Sequence, residues 1–123
     1  MSTIVTSNVS DGTLSIPTTY VTNGSAKAWV NFNGTGTIAA RDSFNVTSLT
    51  DNGTGDYSVN FTNAMANANY AMSGAAGDDG QIFSYRAFGS FPPTANYTRL
   101  ALRGNDGSSL DGTAAASISG DLA

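Results

Sequence analysis

The stretch Ala26-Lys27-Ala28-Trp29-Val30-Asn31-Phe32-Asn33 decides how this chain is read. Successive side chains on a strand point to opposite faces. Ala26, Ala28, Val30 and Phe32 therefore share one face, and Lys27, Trp29, Asn31 and Asn33 share the other. This is the pattern of a strand laid against a core. Asn33-Gly34-Thr35-Gly36 then ends it with turn-forming residues. Downstream, residues 44–49 alternate again, with Phe44 and Val46 read as inward. They lead through Asp51-Asn52-Gly53-Thr54-Gly55-Asp56 to residues 57–62, where Tyr57, Val59 and Phe61 share a side. Two alternating runs about a Gly- and Asn-rich loop predict a β-hairpin.

Further strands are expected at 13–16, with Leu14 and Ile16 together, and at 37–40, 70–74 and 81–88. Two more follow at 97–103, with Leu100 and Leu102 on one face, and at 114–120, centred on Ile118. Residues 4–9 read as a weak strand or arm, 20–22 lead into an Asn23-Gly24 turn, and 65–69 read as a helical turn or bend. About eight short strands at this spacing predict an all-β fold: an antiparallel β-sandwich, jelly-roll-like or barrel-like. The expected organisation is one domain. Residues 1–22 form an N-terminal arm with the first strands, a candidate attachment segment, and residues 23–123 form the β-sandwich module.

Composition narrows the chemistry. The chain of 123 residues has Gly 14, no Cys and no His. All nine of its acidic residues are Asp. Without Cys there is no disulfide, thiol nucleophile or thiolate metal site, and without His there is no Ser–His–Asp triad. Only 11% of residues are charged, and the net charge is −4. That balance lacks the clustered Lys and Arg that neutralise phosphates, so no nucleic-acid partner is expected. No apolar run approaches the roughly 20 residues of a membrane-spanning helix, and no secretory signal is evident, so membrane insertion is not expected. Few charges suit a surface partly covered by other subunits.

The candidate sites have both functional and structural readings. Asp78 and Asp79 are adjacent and point apart on an extended chain, so a solvated turn explains them better than an acid–base pair. Asp51, Asn52 and Asp56, and likewise the loop of residues 105–111, present oxygen ligands that calcium would accept. The hairpin and loop explain the same residues without a metal, and no Glu is present for a bidentate position. No cofactor is expected. Trp29 reads either as a core residue shifted by one position or as an interface or ligand platform, with core or subunit interface favoured. Tyr85, Arg86, Phe91 and Tyr97 concentrate aromatic and cationic groups in the second half. They read either as a contact surface or as core with snorkelling Arg stems. Asn-x-Ser/Thr triplets at Asn8, Asn23, Asn33, Asn45, Asn52, Asn60 and Asn96 read as turns and strand ends.

The segment of residues 26–37, Ala-Lys-Ala-Trp-Val-Asn-Phe-Asn-Gly-Thr-Gly-Thr, continues through Arg41-Asp42-Ser43-Phe44-Asn45-Val46. With the hairpin of residues 51–62 and the ending Ile118-Ser119-Gly120-Asp121-Leu122-Ala123, it resembles a family of tailed-bacteriophage virion proteins. These are common in marine phages and often described as tail-fibre-like. The resemblance covers residues 23–72 and the C-terminus. It implies a non-enzymatic virion component, assembled in the host cytoplasm and partnered by other tail or capsid proteins. It also implies a homo-oligomer, with a trimer favoured, and a tail-fibre or tail-tip role presenting loops to a host surface glycan or protein. The alternative is a capsid decoration protein that stabilises the phage head. A typical tail fibre has an anchor and shaft before its tip; here the module starts almost at Met1, so the expectation is not a whole fibre.

Overall fold

The computed structural model describes residues 1–85 and 92–123. The chain first forms β1 (Asn8–Ser10), β2 (Ser15–Pro17) and α1 (Thr18–Gly24). There follow β3 (Ala28–Asn33), β4 (Ala39–Phe44), β5 (Val46–Gly53) and β6 (Asp56–Phe61). The described elements end with β7 (Ala71–Ala76), β8 (Gln81–Tyr85), β9 (Tyr97–Gly104) and β10 (Thr113–Ser119). Eight of the strands build two four-stranded antiparallel sheets, in the orders β4-β3-β10-β7 and β5-β6-β9-β8. The sheets pack as an all-β sandwich and are not closed into a barrel, so the barrel-like alternative falls away. Among the described residues β1 and β2 pair only with each other.

The core forms where period-two alternation is strongest. Ala28, Val30 and Phe32 of β3 and Ala114, Ala116 and Ile118 of β10 are buried on one sheet. They face Tyr57, Val59 and Phe61 of β6 and Leu100 and Leu102 of β9 on the other. These four strands occupy the centres of the sheets, so each is flanked on both sides. Each large apolar side chain fully buried there contributes about 1.5–3 kcal/mol. Two edge-to-face ring pairs lock the layers: Phe32–Tyr57 with centroids 5.2 Å apart, and Phe61–Tyr70 at 5.7 Å.

Two local expectations are corrected. Phe44 does not point inward: it lies directly opposite Trp29 across the β3–β4 ladder and is 55% exposed. The reason is Asn45, whose φ of 55° puts it in the left-handed region and breaks the alternation that had joined Phe44 to Val46. Asn45 is the corner at which the chain leaves one sheet for the other. Its Nδ2 donates to the carbonyls of Lys27 (3.0 Å) and Asn63 (3.1 Å), and its Oδ1 accepts from the Asn63 N–H at 2.7 Å. The second correction concerns residues 20–22, which belong to the helix α1. Pro17 begins its turn with φ −58°, a value the pyrrolidine ring fixes in advance. The expected 81–88 strand runs through β8 to Tyr85, and its remainder lies outside the described residues.

From residue 1 to 24 every side chain is exposed except Thr18, which is half-buried. α1 buries no residue. The β1–β2 loop is held by Asp11, whose Oδ1 accepts from the N–H groups of Leu14 (2.8 Å) and Thr13 (2.9 Å). Those two bonds hold its carboxyl below the usual carboxylate range.

Candidate functional site: two outer faces and an arm

The outer face of the β4-β3-β10-β7 sheet carries Trp29. In register, Phe44, Trp29, Ser117 and Ser73 form one row, and Asp42, Asn31, Ala115 and Ala75 form the next. Trp29 is thus on the outside, as its alternation with Val30 and Phe32 requires, and is 37% exposed. The small side chains of β7 and β10 leave a shallow depression of about 540 Å³ beside it, floored by Ala75, Ala115 and Ser117. Arg41 sits at the β-bulge of β4 and donates through Nη1 to Asn31 Oδ1 (3.1 Å) and the Phe32 carbonyl (3.3 Å).

The outer face of the β5-β6-β9-β8 sheet is polar. Asn60 Nδ2 donates to Ser48 Oγ (3.1 Å) and Thr50 Oγ1 (3.0 Å), and Asn52 Nδ2 donates to Ser58 Oγ (2.8 Å). Arg99 meets Asp56 side-on, Nε to Oδ1 and Nη2 to Oδ2, both at 2.7 Å. That pairing pushes the Arg99 pKa up. Tyr97 lies opposite Asn60 and helps line a small depression with Thr50, Asn52 and Ser58.

Of the four residues expected to form one contact surface, the structure describes two. Tyr85 lies opposite Leu100, on the core-facing side of the edge strand β8, and is 40% exposed. Tyr97 lies on the outer side and is half-buried. Their strand positions thus alternate to opposite faces. Burial is the main cause that pushes the Tyr70 pKa up to about 12, with smaller contributions from Tyr85 and Tyr97. Arg86 and Phe91 lie outside the described residues.

The Asp carboxylates of these loops accept hydrogen bonds from backbone N–H groups, within a turn or across to another loop. Asp51 Oδ1 accepts from the Gly53 N–H (2.9 Å), Asp106 Oδ1 from the Ser108 N–H (2.9 Å), and Asp78 Oδ2 from the Thr113 N–H (2.7 Å). Among the described residues no three Asp side chains converge as candidate metal ligands. Asp111 accepts from the Tyr57 hydroxyl and the Gly55 N–H instead. Burial, and then this bond, push the Tyr57 pKa up.

Sequence reasoning missed Phe44 as a partner for Trp29, and in the arm it paired only Leu14 with Ile16. The signal was present in Ile4, Val5, Val9, Leu14, Ile16 and Val21, apolar side chains that the arm is too short to enclose. No family model, curated protein or solved structure matches the chain.

Proposed function

We propose that this protein is a non-enzymatic structural subunit of a bacteriophage virion, of the tail-fibre or tail-tip type, that works by contact. The family resemblance of residues 23–72 and the C-terminus suggests the setting. The observation that carries the reading is the division of the molecule into a tightly packed sandwich and a 24-residue arm with no buried side chain. A sandwich with a closely packed core provides the base. The arm provides attachment. Of the residues expected to face the host, Tyr97 stands on an outer sheet face, and repetition in an oligomer, a trimer being favoured, raises the strength of weak individual contacts.

The arm also suits a second reading, a capsid decoration protein whose residues 2–16 lie along the head shell. Counting copies per purified particle by quantitative mass spectrometry separates the two. A few copies to about a dozen agree with the tail, and hundreds agree with the head. Particles lacking the protein should lose thermal stability only in the decoration case. Absence from purified particles would overturn both.

A further inference from the structure

Among the described residues the arm carries uncovered apolar side chains, and the outer face of the β4-β3-β10-β7 sheet presents Trp29 and Phe44 uncovered beside small side chains. Ile4 and Val5 are 90% and 92% exposed, and Leu14 is 73% exposed. Val9 and Ile16 stand directly opposite each other on one face of the β1–β2 ribbon. An isolated two-stranded hairpin is at best marginally stable in water, and a helix of seven residues is well below the length that holds by itself. The order of this arm therefore calls for a surface to lie on.

We infer that the surface is supplied by a second copy of this chain: the arm of one copy lies across the outer sheet face of the next, over Trp29, Phe44, Ala75, Ala115 and Ser117. Four observations favour a second copy over another partner. Among the described residues the arm and this sheet face are both left uncovered on every chain, so head-to-tail pairing in a closed ring covers both together. The arm's length, 24 residues, matches the roughly 20–30 residues a side that a stable interface uses. The face offers an aromatic pair beside a small-residue floor, the arrangement in which Trp forms a binding hot spot. The arm's one charged side chain, Asp11, is anionic, and Lys27 and Arg41 flank the face, which also holds Asp42. The inference concerns self-association and does not rest on the virion reading.

The test uses the full chain, whose lack of Cys allows single thiols to be placed cleanly. Arm variants Val9→Cys and Ile16→Cys are mixed with face variants Ala75→Cys and Ala115→Cys. A short bismaleimide is then added, with Thr50→Cys, exposed on the other sheet, as the control. The expected result is a covalent dimer between arm and face variants and none between arm and control. A wild-type chain that sediments as a monomer would overturn the inference. So would cross-links to the control, the absence of arm–face cross-links in an oligomer, or an arm–face link formed only within one chain. Trp29 is the sole tryptophan, so its emission reports on this face alone. It should shift to the blue on association. Phe44→Ser should weaken association about ten-fold or more with the β-sheet spectrum unchanged; association as tight as wild type would count against the face.

Discussion

The Tyr57 hydroxyl donates to Asp111 Oδ1 at 2.9 Å, joining residues 54 positions apart. The same oxygen accepts from the Gly55 N–H at 2.8 Å, so one carboxylate fastens the loop after β9 to the β5–β6 turn. Tyr57 is fully buried and packs edge-on against Phe32, so its hydroxyl is carried to this point by the core itself. Tyr57→Phe should cost about 1.5–3 kcal/mol, the usual worth of a hydrogen bond to a charged group. Asp111→Ala should cost more, because it strands both donors. Urea unfolding of the two variants checks the order.

Gly55 and Gly34 are among the glycines fixed by space. A Cβ on Gly55 would lie 2.5 Å from the Leu102 carbonyl oxygen, at a φ of +64°. A Cβ on Gly34 would lie 2.4 Å from the buried Tyr57 ring. Gly36 has a similar φ of +66° but open space around it. Gly36→Ala should therefore lose only the backbone penalty of about 1–2 kcal/mol, and Gly55→Ala distinctly more. Comparable midpoints in chemical denaturation would contradict the packing described.

Asn45 holds the corner between the sheets by its left-handed backbone and three side-chain hydrogen bonds. Asn45→Gly relieves the backbone but loses the bonds, and Asn45→Ala suffers both losses. The expected order of thermal stability is wild type, then Gly, then Ala. The Gly variant should sit about 1–3 kcal/mol below wild type.

Alkaline pH should destabilise the fold. The pKa values of Tyr57 and Tyr70 are raised, so the folded state keeps protons that the unfolded chain releases above about pH 10. The stability these groups contribute is complete below pH 10 and falls as pH climbs. The rate is about 1.4 kcal/mol per pH unit for each retained proton. For Tyr70 the loss continues to about pH 12. Tyr70→Phe should reduce the slope of stability against pH between 10 and 12; an unchanged slope would refute the assignment.

Much of the sandwich was legible because its central strands obey a single rule. Val30, Phe32, Tyr57, Val59, Leu100 and Leu102 all fall on the buried side that alternation assigned. Alternation fails where the backbone leaves the extended region, as at Asn45, and it cannot see which strand lies beside which. For that reason the pairing of β3 with β10, and hence the row of Phe44, Trp29 and Ser117, came only from the fold. The helix at residues 18–24 was hidden by β-branched Thr and Val and by an Asn-Gly pair that favours turns. The proposed contact residues are neighbours in sequence. The sheet register then separated Tyr85 from Tyr97 by one reversal of face.

Cryo-electron microscopy of intact particles, with this subunit located in the map, measures the central claim most directly. The account predicts the sandwich repeated about a symmetry axis at the tail tip, with residues 1–24 resting on neighbouring protein. Particles without the subunit, or subunits whose arms touch nothing, would contradict it.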